Sequence, residues 1–594
     1  MIFKTRAMSS NNGIADRSQP TDLVNFKILL NDAAISGEYR VISLLVEKTF
    51  NHVSAARIVL ADGDPALQDF PISSKDDACM PGARVEIRMG YHSDAKTVFK
   101  GIVVSHSIRS GRNKHSFSII EARDQAYRLS LGRKNHCYAD KQDSEIMETI
   151  VKAAGYKAGD LDIASTSPAH KQMVQYNTTD WDFIVSRAEM NGLLVLTDDN
   201  RLRVFQPDTA ADPVMDICFG MDVIAFDSGI DARTQLKEVR AHAWNYRDQK
   251  IEDSPDAQVT FRESGNLKAG DLADALHIPG DDLWHTGDLS DEELKKWGNA
   301  RLLKSRLAKI CGRIFIKGQS GLRPGQVIRL TGFGKRFNGP VVVTGVSQHY
   351  DQSIWETEVQ FGLSGRWFYH LEDISDKPAS GLVPGINGLA IGVVMQLEND
   401  PDKQHRVKIR LPLVDQHEGI WARVAALDAG NGRGSFFRPE VKDEVVVGFL
   451  NDDPRHPVIL GMLNSGAKPA PLEARDANNE KGFVTRSKMK MIFNDEKKTL
   501  VLETPKGKKI AIDEDKDTIT LADEHHNKIT LTADGITLES GKDLQLKAPS
   551  GQIRLQALNI EQKADAQFSA EGNAGAALKS TGQTVVKGSI VNIN

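Results

Sequence analysis

Adjacent imidazoles are the first feature of this sequence that could do chemistry. His525 and His526 offer metal-ligating nitrogens at consecutive positions. Neighbouring residues of a strand face opposite ways, and this pair sits in the polar, turn-like stretch 523–527, so one chain cannot aim both at one ion. The four cysteines, Cys79, Cys137, Cys218 and Cys311, lie far apart and none forms a CxxC pair, which fits scattered small hydrophobes in a reducing compartment. Gly430, Gly432 and Gly434 make a glycine-rich loop, but no predicted helix follows to offer its N-terminus to a phosphate. There is no P-loop, HExxH or GxSxG motif. Lys506, Lys508 and Lys509 are offset by Asp513, Glu514, Asp515 and Asp517, the pattern of a solvated face. No catalytic, cofactor-binding or metal-binding residue is assigned, and no cofactor is expected.

The elements that would position chemistry are unevenly distributed. The chain has 594 residues, enough for several domains, and its net charge of −5 argues against a nucleic-acid footprint. Of 22 Phe, 9 Tyr and 7 Trp, only Phe493 and Phe568 fall within 485–594. That stretch cannot hold an ordinary aromatic-rich core. The N-terminal twenty residues show no apolar run of a secretory signal, and no stretch reaches the ~18 apolar residues of a membrane span. Synthesis in the cytosol is expected, with any export by another route.

From 24 to 120 the sequence alternates apolar and polar residues, predicting a twisted antiparallel barrel or sandwich with Gly82, Gly90 and Gly111 at turns. The period then changes. Residues 143–154 predict a helix with Ile146, Ile150 and Val151 inward and Asp143 or Ser144 as its cap. A second helix is predicted over 179–190, with Trp181, Ile184, Val185 and Ala188 inward and Gly192 near its end. A third starts near Ser290, acidic first and basic last. Strands resume at 314–316, 327–331, 341–346 and 356–361. Polar linkers are read at 371–384 and 466–484, around a strand-rich block at 385–465.

Beyond Leu500, apolar-x-apolar units recur at a mean spacing of about eight: Ile510/Ile512, Ile519/Leu521, Ile529/Leu531, Ile536/Leu538, Leu544/Leu546, Ile553/Leu555 and Val591/Ile593, with less regular ones between. Each unit is one strand too short to bury a face alone. A single-chain solenoid and three chains winding round one axis both fit. The second explains a narrow core of Ile, Leu and Val, needs no cap at the closing residues 591–594, and removes most sheet edges.

The block 385–465 carries Gly392-Val393-Val394, Asn399-Asp400-Pro401-Asp402, Arg406-Val407-Lys408-Ile409-Arg410-Leu411-Pro412, Trp421-Ala422-Arg423-Val424, Phe437-Arg438-Pro439-Glu440-Val441, Asp443-Glu444-Val445 and Asp452-Asp453-Pro454-Arg455-His456-Pro457. In order and spacing it closely resembles the OB-fold domain of VgrG-type spike proteins of contractile injection systems, a class covering type VI secretion and phage-tail-like particles. Val407, Ile409 and Leu411 are the inward positions, and Val445–Leu450 (445–450) the buried strand. Where the family often has Gly after Val441 this chain has Lys442, so a slightly different turn is expected.

The resemblance implies a mainly β fold with some helices: barrel-like hub domains, an OB-fold β-barrel and a C-terminal intertwined triple-stranded β-helix in a homotrimer. The expected divisions are a flexible tail (1–20), a first tube-like β-barrel (21–130), an α/β insertion (131–215), a second tube-like β-barrel with a helix (216–370), the OB fold (385–465) and a needle (485–594). Further implications are docking on a hexameric, Hcp-like inner tube, contact with baseplate proteins, and a PAAR-type tip protein and effectors carried at Val591, Asn592, Ile593 and Asn594. Contact with a target membrane is transient, and delivery is outward on firing.

Nucleic-acid binding by the OB fold is not expected, because residues 385–465 hold nine Lys/Arg against eleven Asp/Glu and its aromatics are not interleaved with a basic run. Only about 20 residues separate Leu463 from Phe483, too few for the lysozyme domain of some phage spikes. The chain is therefore expected not to be an enzyme. The competing possibility is a secreted hydrolase using the needle as a trimerisation stalk, with its activity in 131–300, where His and Asp/Glu are plentiful but show no spacing signature.

Overall fold

A computed structural model describes residues 23–593 except 76, 112–114 and 372. The 1–20 tail and Asn594 lie outside the described residues. The chain divides into two units, 1–386 with 451–453, and 387–450 with 454–594.

In the first unit the two hub parts share one 13-stranded sheet. Its path runs from Val223–Ile230 through Ile310–Lys317, Ile354–Phe361 and Gly339–Asp351 to Val41–Thr49, then Ala55–Ala61, Ser116–Arg123, Asp94–Ser110, Arg84–Tyr91, Val24–Leu30 and Ala33–Ala34. The seam is the antiparallel pairing of Val41–Thr49 with Gly339–Asp351, in register from Ser43 with Asp351 to Thr49 with Gly345. Two parts expected as separate barrels are thus continuous in hydrogen bonding. Each keeps its own core, Leu44, Ile58, Ile87 and Phe99 in one and Ile314, Ile328, Val343 and Val359 in the other. Lys48, buried on the seam strand, pairs with Asp198 and with Asp199 (2.8 Å), tying the helical insertion to the sheet.

The insertion follows the predicted periodicity. Helix Asp143–Ala153 buries Ile146, Ile150 and Val151, and helix Asp180–Met190 buries Trp181, Ile184, Val185 and Ala188. Thr179 caps the second, accepting from the Asp182 N–H at 3.1 Å. The first is capped differently from expectation: Gln142 is the N-cap, its N–H donating to Glu145 at 2.8 Å, because Asp143 is turned inward to Arg187. Helix Asp291–Leu307 begins with a Ser290/Glu293 capping box. It covers one face of a three-stranded sheet, Lys250–Asp253, Val239–Asn245 and Asp281–His285, through Leu294 and Leu302 against Val239, Ala241 and Ala243. This small αβ layer was not foreseen within 216–370.

The second unit opens with a closed five-stranded barrel: Ala390–Gln396, Val407–Arg410, Ile420–Val424, Pro457–Met462 and Glu444–Phe449. Val394, Val407, Ile409, Leu411, Ala422, Val445, Val447 and Ile459 fill it, as their alternation predicts. Leu450 lies beyond the strand and is exposed. Lys442 adopts φ 74, a left-handed backbone that glycine would favour. Asp400 closes another turn, accepting from the backbone N–H of Gln404 (2.8 Å) and Arg406 (3.1 Å) and from the Arg406 guanidinium (2.7 Å). That guanidinium holds the Asp400 carboxyl well below the usual range.

A seven-stranded antiparallel meander follows, from Glu480–Val484 to Gly535–Glu539, each strand pairing with the next. Its first strand lies inside the stretch read as a linker. The seven strands begin at 480, 490, 499, 509, 518, 528 and 535, nine or ten residues apart up to 528 and seven at the last step, on either side of the spacing of about eight. Beyond Glu539 no strand occurs among the described residues.

Candidate functional site

The meander puts two apolar residues of each central strand on one face. Register places Phe493 opposite Leu500, Leu502 opposite Ile510, Ile512 opposite Ile519, Leu521 opposite Ile529 and Leu531 opposite Ile536. The other face carries Val501, Ala511, Thr520, Thr530 and Thr537. One face is therefore continuously apolar across the strands, and no described residue covers it. Ile510, Ile512, Ile519 and Leu521 are 40–43% exposed and Ile536 is 69% exposed. A trough of about 710 Å³ runs along it, lined by Leu502, Ile510, Leu521, Ile529 and Leu538. From 460 to 593 no described residue is buried.

The hairpin ends are held by ion pairs. Lys508 meets Glu524 at 2.6 Å, Lys498 meets Asp515 at 3.0 Å and Lys516 meets Asp513 at 2.9 Å, so Lys508 of the basic cluster is engaged by Glu524, and two of the acids expected to offset the cluster pair with other lysines. His525 and His526 occupy the turn at 523–527, where Asp523 accepts from the His525 and Asn527 N–H groups at 2.9 Å each. Among the described residues no group of three His, Cys, Asp or Glu side chains is placed to hold a metal ion. The four cysteines are free thiols. The barrel is joined to the meander by two contacts that the sequence did not signal: Phe437 stacks on Phe483 (5.2 Å, 15°), and Arg486 pairs with Glu440 at 2.9 Å.

At the C-terminal end Val591 is 47% and Ile593 89% exposed, and Asn592 is exposed too. These three expected tip residues make no strand, and the fourth, Asn594, lies outside the described residues.

In 131–300, the stretch where an active site was sought, five polar side chains from four elements converge. Asp143 receives Arg187 (2.7 Å) and Asn191 (2.8 Å), and His170 lies between Asp143 (3.2 Å) and Glu293 (3.1 Å). Hydrogen bonding to Asp143, then to Glu293, raises His170 to about 9, and His170 in turn draws Glu293 down to about 2. Burial pushes the Asp143 carboxyl up, but His170 and Arg187 outweigh it and hold it below its usual range. His170 and Asp143 are buried and each polar atom is spent on a neighbour, so this constellation clamps three helices and a strand and leaves no open position for a substrate.

The family profile described as the Alg8 N-terminal domain matches residues 20–352, more than half of the chain. The type VI secretion system/phage-baseplate injector OB domain matches 390–463, on the closed barrel, and the phage baseplate V C-terminal trimerisation domain matches 499–561. The chain belongs to the first of these families, and it is a VgrG-type spike protein. Among curated relatives, the type VI secretion system spike proteins VgrG1b and VgrG1a of Pseudomonas aeruginosa are 21% and 23% identical over 68% of this chain. The chain spans 57% and 66% of their lengths. A tail protein from Neisseria meningitidis aligns with TM-score 0.43 at 14% identity, over 58% of this chain and 98% of that one. An E. coli type VI secretion component, described as similar to the T4 tail proteins gp27 and gp5, gives 0.38 at 13% identity, over 74% and 100%. In this VgrG-type chain the trimerisation match straddles the end of the meander, so it includes both self-paired strands and the strandless segment after them. No helix among the described residues is long and apolar enough to cross a membrane.

Proposed function

We propose that the chain acts as the homotrimeric central spike of a contractile injection machine, with a mechanical role. One observation carries this reading: the apolar face of 480–539 and everything after it lack any buried residue, and copies of the same chain are the natural cover. Each half-exposed Ile or Leu gains roughly 1 kcal/mol when covered, multiplied over many side chains and three copies.

In this reading the hub of three chains forms a pseudo-sixfold base that docks on a hexameric, Hcp-like inner tube and meets baseplate proteins. The barrels make a collar, and the C-terminal region is the needle. Val591, Asn592, Ile593 and Asn594 seat a PAAR-type tip protein, with effectors carried on the spike. Assembly takes place in the cytoplasm, and firing drives the spike outward through a target membrane. Interlocked chains resist unfolding under load because separating them raises the unfolding barrier. Sizing chromatography with light scattering tests the core of the proposal. A species of three times the 65.4 kDa chain mass is expected, and a stable 65.4 kDa monomer overturns it.

A further inference from the structure

The small αβ layer of the hub has a second face that no described residue covers. Helix Asp291–Leu307 packs on the side of Val239, Ala241 and Ala243. The alternate residues of the same strands point the other way, and they include Trp244 and Trp284, 40% and 62% exposed. Among the seven tryptophans these are the two most exposed; Trp181, Trp355 and Trp367 are buried. Trp284 stacks on His242 (4.1 Å, 19°). Ile251, paired with Trp244 across the strands, extends the platform and is 52% exposed.

The rim is acidic. Asp253 and Asp282 flank His242 at 2.7 and 3.4 Å and remain 64% and 58% exposed, while the face's one arginine, Arg240, is already engaged by Asp256 at 2.6 Å. Charge in the sequence is concentrated here as well. Residues 239–288 hold ten Asp/Glu against five Lys/Arg, and the remainder of the chain is balanced, so the whole net charge of −5 resides in this segment. Exposed tryptophans are rare away from interfaces, and an aromatic platform ringed by carboxylates complements guanidinium and ammonium groups through ring stacking and ion pairing.

We infer that this face is a docking surface for a basic polypeptide segment of a partner protein, whose Arg or Lys side chains lie over Trp244 and Trp284 and pair with Asp253 and Asp282. The platform supplies contact area, and the carboxylates select positive charge and speed encounter at low salt. The site and the apolar sheet of the C-terminal region belong to different units of the chain, and the inference does not depend on the trimer reading.

The test uses the full chain and a fluorescein-labelled dodecapeptide of alternating Arg and Ser, followed by fluorescence anisotropy and by intrinsic tryptophan emission. Binding with quenching of tryptophan emission is expected. Trp244→Ala with Trp284→Ala should weaken it at least tenfold, and Asp253→Asn with Asp282→Asn, which leaves the rings in place, at least fivefold. A control pair on the linker, Glu473→Gln with Asp476→Asn, should change nothing. Absence of peptide binding overturns the inference, as does equal weakening by the control pair. Two outcomes replace the occupant: a neutral oligosaccharide that binds in a tryptophan-dependent way while the Arg peptide does not, and a change in oligomeric mass caused by the Trp variants, which would mark the face as a contact between copies.

Discussion

Hub and C-terminal region stand at opposite ends of what a single chain can stabilise. In the hub, strands, helices and even the His170–Asp143 pair at the centre of a five-membered polar cluster are buried by the chain's own residues. In the C-terminal region regular strands and backbone pairing are present, yet no side chain is buried from 460 to 593. Hydrogen-bonded strands alone do not make a stable body; the apolar face has to be covered, and no described residue of the chain covers it here. The region itself divides again. Up to Glu539 five-residue strands with tight polar turns pair in sequence, whereas the same apolar-x-apolar units after Ser540 find no partner strand in the chain.

The contrast breaks most readily at the apolar face. Ile512→Asp with Leu521→Asp places unpaired carboxylates where copies should meet, at roughly 3 kcal/mol or more each. Complete loss of the trimer by light scattering is expected, with the hub still folded by circular dichroism; a trimer that survives would show that this face is not the one covered. On the hub side, Asp143→Asn leaves Arg187 without its charge partner and His170 with Glu293 alone, and should lower hub stability by about 3 kcal/mol in urea titrations. The same cluster sets a pH dependence. His170 is held up at about 9 from 6.5, so its contribution is complete below about pH 6.5 and is lost as pH rises through 9. Hub stability should fall by about 2–3 kcal/mol between pH 7 and 10, and His170→Gln should remove most of that slope. Glu293, drawn from 4.5 to about 2, contributes above pH 4.5 and loses its share as pH falls through 2.

Within the C-terminal region a smaller effect separates its two parts. Ile553→Asp should leave the trimer mass intact through the meander while making the segment after Ser540 open to proteolysis, read by mass spectrometry of the digest. Least of all, Lys442→Gly relieves a left-handed lysine and should raise barrel stability by about 0.5–1 kcal/mol, seen as slower amide exchange in Val445 and Val447.

Much of this architecture is visible in local sequence. Helix periodicity and the inward residues of the barrel strands are set by neighbours three or four positions away, or two in a strand, and the structure reproduces them. What stayed hidden depends on distant partners. Asp143, His170 and Glu293 come from separate elements, so no spacing announces their cluster, and Asp143 could not be told from a helix cap without Arg187 beside it. The strand Glu480–Val484 was read as linker because its glycine and charges mask it; its pairing with Lys490–Asn494 reveals it. The aromatic face at Trp244 and Trp284 needed the strand register that aligns His242 with Trp284.

The seam between Val41–Thr49 and Gly339–Asp351 has a consequence for how the protein is made. A ribosome adding about 5–20 residues per second needs roughly 15–60 s to deliver the second strand after the first has emerged. Throughout that interval Val41–Thr49 can pair with Ala55–Ala61 on one side only, and its other edge stays open to the strands of neighbouring nascent chains. The open edge of that strand is thus presented to neighbouring chains before the residues that close the sheet exist.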